Sequence, residues 1–283
     1  APLNAPEGAP LLVVGDTLEG LRDLARAARL RNFGKRIAVT GSVGKTSTKE
    51  MLRAAFGAAG RVHASDKSFN NHWGVPLTLA RMPMSADFGV FEIGMNHAGE
   101  ITPLTRLVRP HVAVITTIGE AHIENLGSRE NIARAKAEIF LGLEKEGAVI
   151  LPVDNDLFSL LRDLAHAAGV QRIITFGESR TADIRLDGYR MRENGGDVSA
   201  SVFGAPFEFS LSAPGRHQAM NSLAVIGAAR ALGVPAAKAA AGLKGLAAAA
   251  GRGRQSRFTR KSAAEVLIVD ESYNANPTSM AAA

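Results

Sequence analysis

Cysteine is absent from the 283 residues, so disulfides, thiolate metal sites and cysteine nucleophiles are excluded. Aromatic residues are scarce at 5%, which leaves few platforms for stacking the bases of a single strand. No apolar run is long enough to cross a bilayer and no signal peptide is evident, so a soluble, cytoplasmic protein is expected. A block of like charge is missing too. The net charge is +6, but Lys and Arg are scattered, with a mild concentration only at Arg252-Gly253-Arg254-Gln255-Ser256-Arg257. That distribution suits anionic small molecules better than nucleic acid. Hydrophobic residues make up 46%, within the globular range, and the length allows one large or two smaller domains.

What is present centres on Arg36-Ile37-Ala38-Val39-Thr40-Gly41-Ser42-Val43-Gly44-Lys45-Thr46-Ser47. A short apolar run ends in a small-residue turn, then Gly-Lys-Thr, then a plausible helix to about Ala59. Strand, glycine loop and helix N-terminus together describe a phosphate cradle. Loop N–H groups point at an anion, Lys45 adds charge, and the Thr46 hydroxyl can hold Mg2+. The general pattern wants glycine four residues before the Gly of Gly-Lys, where Val39 stands, so the loop reads G-x-x-G-K-T. An ordinary glycine turn before a helix is the plainer alternative.

Further strands are predicted at 11–14, 61–65, 87–94, 111–118, 148–151, 172–176 and 265–270. Helices are predicted after Thr17 as N-cap, from Ser128 through Glu144, and over 156–168, 218–232 and 236–243. Residues 68–76 read as a loop, and 182–211 as a small antiparallel set. Strands alternating with helices predict an α/β fold: a mostly parallel, P-loop (Rossmann-like) sheet with helices on both faces, the antiparallel set, and the start of a second α/β domain. Ligands in such sheets sit beyond the strand C-terminal ends, where Lys45, Glu92 and His122 all fall.

Glu92 lies in an apolar segment, where an ionised carboxylate must be paired or hold a cation. A structural ion pair and Mg2+ both answer that need, and the phosphate loop favours Mg2+. His122 reads equally as a turn residue or a ligand. Lys136, between Arg134 and Glu138, reads as a solvated helix lysine. Residues 215–221 and Asp270 could cap turns or helices, and Tyr273 could be core.

TGSVGKTSTKEM, SFNNHWGVPLTLARMP, FEIGMNHAGEI, ITTIGEAHIENLGS, ARAKAEIF, GRHQAMNSLAV and DESYNANPTSM occur in this order. The chain thereby resembles the Mur ligase family over nearly its whole length. Three of these stretches (SFNN…GVPLTL, GMNHAGEI and SYNANP) resemble the branch that adds D-alanyl-D-alanine to UDP-N-acetylmuramoyl-tripeptide. The resemblance implies an ATP-dependent, ADP-forming amide ligase of peptidoglycan precursor synthesis, acting as a monomer on these small molecules. Gly41, Ser42, Val43, Gly44, Lys45, Thr46 and Ser47 would bind the ATP phosphates. Thr46 and Glu92 would hold one Mg2+. His122 and a carbamylated Lys136 would serve a second. Asn221, with His217, would approach adenine. Arg252 would reach the γ-phosphate, and Asp270 and Tyr273 would close over the nucleotide. Asn71, Asn96 and His97 would face the tripeptide. Residues 1–34 would be the remnant of an N-terminal UDP-sugar domain and linker, 35–250 the central ATP-binding domain, and 251–283 the start of a C-terminal domain. Gln218, Trp73 and Glu271 depart from the family's usual residues. Rival readings are a ligase acting on another acid, such as a folate polyglutamylating enzyme, a P-loop ATPase stimulated by nucleic acid, and a nucleotide-binding module without catalysis.

Overall fold

The computed structural model describes residues 8–66, 68–192, 195–246, 251, 254–259, 265–270 and 272. The elements are α1 (Thr17–Arg31), β1 (Lys35–Thr40), α2 (Lys45–Gly57), β2 (Val62–Ala64), α3 (Gly74–Ala80), β3 (Phe88–Glu92), α4 (Ile101–Val108), β4 (Val112–Ile115), α5 (Ile123–Leu126) and α6 (Arg129–Ala137). A 3₁₀ turn (Glu138–Gly142) follows. Then come β5 (Ala148–Pro152), α7 (Phe158–Ala167), β6 (Arg172–Gly177), β7 (Ile184–Arg192), β8 (Gly195–Val202), β9 (Ala205–Leu211), α8 (Arg216–Ala231), α9 (Ala236–Leu243), β10 (Arg254–Thr259) and β11 (Glu265–Asp270).

Strands β1 to β9 form one sheet in the order β2-β3-β1-β4-β5-β6-β7-β8-β9. Pairing is parallel from β2 through β7 and antiparallel from β7 to β9. The antiparallel set expected from the sequence is therefore an extension of the main sheet, joined where Phe176 pairs with Ile184. β10 and β11 form a separate antiparallel pair.

Parallel strands covered on both faces must be apolar throughout, and residues 36–40, 89–92, 112–115 and 148–152 are all buried. Alternation along a strand sends neighbours to opposite faces. Ile37, Val39 and Val90 join a core with Met51, Leu52 and Phe56 of α2 and Leu223 and Ile226 of α8. Ala38, Phe91 and Ile93 join a second core with Val75 and Leu79 of α3, Ile101 and Leu104 of α4, and Ile132 of α6. Glu92, two residues after Val90, thus points to the α2 side. From β1 the chain crosses toward β2, whereas from β3 it crosses past β1 to β4. The connections diverge beside β1, the switch point where such sheets leave a crevice.

Several expectations need correction. Residues 11–14 form no strand: Val13 is 81% exposed, and no ladder partner exists among the described residues. α1 is capped by Asp16, whose carboxylate accepts from Glu19 N, rather than by Thr17. Residues 74–80 are helical, because Asn71 Oδ1 accepts from the N–H groups of Trp73 and Gly74 and starts α3, while Pro76 sits in the first turn, where no intrahelical donor is needed. α4 is a helix over a stretch for which the sequence predicts no element. α6 ends at Ala137 and tightens into the 3₁₀ turn. β4 stops at Ile115, after which Thr116 Oγ1 and Thr117 O bond the phosphate loop while Thr116 N still donates to Thr40 O.

Candidate functional site

Between β1 and α2 the chain makes a tight turn built on two glycines. Gly44 is left-handed (φ 83°) and is the N-cap of α2. A Cβ there would meet the Asn221 carboxamide at 2.8 Å, and one on Gly41 would meet Thr116 Oγ1 at 1.9 Å. With no side-chain cap, the first N–H groups of α2 remain available to an anion, reinforced by the helix dipole. Lys45 folds back so that Nζ donates to Gly41 O at 2.7 Å and Ser42 O at 3.4 Å, lying over the cradle. The cradle is braced by the segment after β4. Ser42 N donates to Thr117 O (2.9 Å). Ser42 Oγ accepts from Gly119 N (2.9 Å) and donates to Gly119 O (3.1 Å). Thr116 Oγ1 donates to Val43 O (2.5 Å).

Glu92 is 1% exposed. Its Oε2 accepts from Thr46 Oγ1 at 2.9 Å and its Oε1 from Asn70 Nδ2 at 2.8 Å. No cation pairs with it among the described residues, so the ion-pair alternative does not hold. A buried carboxylate beside a hydroxyl, opening on a phosphate cradle, is a hard oxygen donor set that suits Mg2+ shared with nucleotide phosphates.

His122 is the left-handed N-cap of α5 (φ 66°). Burial, helped by Lys136 and Lys45, holds its imidazole below the ordinary histidine value, which favours the neutral form that ligates metals. Lys136 is 1% exposed. The solvated reading fails because Ile132, Ala133, Ala135, Lys136 and Ala137 of α6 are all buried. Burial, with Lys45 adding, lowers its amine well below the usual lysine value. No hydrogen bond or ion pair reaches it among the described residues.

The phosphate loop, Glu92 and His122 meet at a cleft of about 1020 Å³, whose lining does not include Lys136. Its lining includes Ser42 to Ser47, with Ser68, Asn70, Asn71, Glu92 and His122. Pro152, Phe176, His217, Gln218, Met220 and Asn221 also line it. Asn221 lies against Gly44, at the phosphate loop itself. Asn71 and Asn96 line the cleft, although the Asn71 side chain also caps α3. His97 is exposed, off the cleft wall, with Nδ1 3.0 Å from Glu100 Oε1. Asp270 accepts from Gly251 N and Ser272 N, the capping role open to it from the sequence. Arg252 and Tyr273 lie outside the described residues. Sequence reasoning gave no role to Asn70, Ser68 or Thr116, since nothing in a polar turn says which side chain lands on a distant carboxylate. Gln218, a departure from the family's usual residue, is 4% exposed, and its Oε1 has no hydrogen-bond partner among the described residues.

A glycine loop opening a helix at the switch point of a parallel sheet, with a hydroxyl–carboxylate pair beneath it, defines a P-loop α/β protein of the nucleotide-binding class. More narrowly, the chain belongs to the Mur ligase family: the family model described as Mur ligase middle domain matches residues 39–229. It is 40% identical over 281 residues to UDP-N-acetylmuramoyl-tripeptide–D-alanyl-D-alanine ligase of Bacillus subtilis, covering 99% of this chain and 58% of that protein. It is 34% identical to the Escherichia coli enzyme of the same name, covering 97% and 59%. The chain thus spans under two thirds of the length of these relatives. Among solved structures it is similar to MurF from Acinetobacter baumannii (TM-score 0.87, 33% identity, covering 98% of this chain and 60% of that one). It is also similar to MurF from Thermotoga maritima in complex with ADP (TM-score 0.84, 26% identity, covering 99% and 62%). A likeness to FPGS of L. casei at 17% identity (TM-score 0.70, covering 96% and 76%) concerns the fold alone.

Proposed function

We propose that the chain is the ATP-binding part of a MurF-type ligase, a cytoplasmic enzyme that joins D-alanyl-D-alanine to UDP-N-acetylmuramoyl-tripeptide with formation of ADP and phosphate. The observation that carries this reading is the Thr46–Glu92 pair at the floor of an uncapped glycine cradle. The names of the relatives supply the substrates. Residues 35–250 form the nucleotide-binding unit in this reading, with 1–34 and 251–283 belonging to flanking units.

Residues 41–47 hold the ATP phosphates, and Lys45 swings from its loop carbonyls to the γ-phosphoryl group. The terminal carboxylate of the tripeptide attacks the γ-phosphorus, ADP leaves, and an acyl phosphate forms. The amine of D-alanyl-D-alanine then attacks the acyl carbon, loses a proton, and expels phosphate. No protein nucleophile is needed. Catalysis is positioning plus stabilisation of charge on the phosphoryl oxygens. Thr46 and Glu92 would hold one Mg2+, and His122 with a carbamylated Lys136 a second. When bound, such ions neutralise charge on phosphoryl oxygens. The burial that lowers the Lys136 amine below the usual lysine value suits carbamylation: the deprotonated amine can add CO2 and release a proton, becoming an oxygen donor. His217 and Asn221 contribute to the nucleotide wall. In this reading Arg252, Asp270 and Tyr273 would contribute to the nucleotide site, and Asn71 and Asn96, which line the cleft, would face the tripeptide.

The test is phosphate release by the full-length protein with UDP-N-acetylmuramoyl-tripeptide. Release that depends on D-alanyl-D-alanine is expected. Turnover that ignores both substrates, or that prefers L-glutamate as acceptor, refutes the reading.

A further inference from the structure

Lys49 lies on α2 one turn beyond Thr46, and its side chain is wholly buried. A buried ammonium is strongly disfavoured unless compensated, and an apolar residue of like volume often serves a plain core better. Its contacts explain what it does there. Nζ donates to Ser65 O at 2.9 Å and pairs with Glu50 Oε1 at 2.8 Å, and Glu50 is in turn held by Arg53 Nε at 2.8 Å.

Ser65 is where the chain leaves β2, its N–H still reaching Val90 O at 3.3 Å. The loop that follows carries Ser68, Asn70 and Asn71. Its far end is fixed at the tip of β3, where Asn70 O accepts from Gly94 N (2.8 Å) and Asn70 Nδ2 donates to Glu92 Oε1 (2.8 Å). Ser68 Oγ lies 3.5 Å from Thr46 Oγ1. The loop therefore spans from the Lys49 ammonium to the Glu92 carboxylate and brackets the Thr46–Glu92 pair.

We propose that Lys49 is a positioning residue for the metal–nucleotide site: by anchoring the loop at Ser65, it lets Asn70 hold Glu92 against Thr46. It acts through Ser65 and Asn70 and does not itself line the cleft. The proposal rests on the ATP–Mg2+ reading above. It predicts a defect in metal response without loss of fold, which a merely structural lysine would not give.

The test uses the full-length protein, with ADP affinity measured by calorimetry across a Mg2+ titration and amide exchange followed at Ser68, Asn70 and Asn71. K49M is expected to melt as the parent does, to need about tenfold more Mg2+ for half-maximal ADP binding, as when a partner of a metal ligand is lost, and to exchange faster at those amides. K49Q retains a donor for Ser65 O without the charge. It is the second variant should K49M not fold: both readouts are expected to stay native in it because the donor to Ser65 O is kept, and a shift in either overturns the proposal. A K49M protein with native Mg2+ response, or either variant in which one readout moves without the other, overturns the proposal. If the parent shows no Mg2+-dependent ADP binding, the ATP reading itself is refuted. If the parent binds and K49M is unchanged, only the role of Lys49 fails.

Discussion

Gly41 and Thr116 are predicted to be thermodynamically coupled through a single contact. A Cβ on Gly41 would lie 1.9 Å from Thr116 Oγ1 and 3.1 Å from Thr116 Cβ. The first distance is far inside van der Waals contact, and the φ of 151° adds backbone strain to any side chain placed there. G41A should therefore cost roughly 1–3 kcal/mol for the overpacked contact and another ~1 kcal/mol or more for the backbone. T116A deletes the hydroxyl that donates to Val43 O and should cost about 1 kcal/mol by itself. In the double variant the overpacking is relieved, because the clashing oxygen is gone and the remaining Cβ–Cβ separation needs only a small adjustment. The double variant should thus be more stable than the sum of the singles by about 1–2 kcal/mol, well beyond the ~0.5 kcal/mol expected of independent sites. Urea unfolding of the four proteins measures the coupling, and ADP affinity should follow the same pattern because the strain sits in the cradle. Additive free energies would falsify the geometry of the turn.

Further outcomes concern His111 and Lys136. His111 sits half-buried at the start of β4, its Nδ1 accepting from Arg36 N. Burial, with Arg36 and Lys35 nearby, lowers its pKa from 6.5 to about 4. The folded state therefore binds fewer protons than the unfolded chain between those values. The His111 contribution is complete above pH 6.5 and is lost as the pH falls toward 4. The full shift corresponds to about 3 kcal/mol, and partial exposure reduces this to roughly 1–2 kcal/mol. H111N, which keeps an acceptor for Arg36, should flatten the stability profile across this window in urea titrations, and an unchanged profile counts against the assignment. Lys136→Met should match or exceed the parent in thermal stability, since it removes a buried amine that no hydrogen bond or ion pair reaches among the described residues, while phosphate release collapses. Lys136→Ala should regain release when small carboxylic acids are added, and failure of that rescue removes the support for carbamylation.

The phosphate loop was legible because its chemistry is local: a strand, two glycines and Lys-Thr are contiguous. Glu92 was legible for a different reason, since a carboxylate in a run of Val, Phe and Ile has few ways to exist. Lys136 was not. Its neighbours Arg134 and Glu138 made α6 look wet, and only the tertiary placement of that helix reveals a buried face. Glu138 itself turns inward, accepting from Thr102 N (3.0 Å) and Thr102 Oγ1 (2.9 Å) to hold the start of α4. α3 and α4 were not legible because Gly74 and Pro76 open the first, and Pro103 lies in the first turn of the second just after Gly99, so both openings read as loop. The continuity of the antiparallel strands with the main sheet depends on the single junction at Phe176 and Ile184, a register that composition does not encode.

The bonds that tie Ser42 to Gly119 and Val43 to Thr116 make the cradle and the stretch leading to His122 one mechanical piece. Its two halves lie 77 residues apart in the chain and yet cannot drift separately. A substitution at Ser42 strands the amide of Gly119, and one at Thr116 strands the carbonyl of Val43. A change on one side is therefore felt on the other, and the free energies of substitutions in the two stretches should couple.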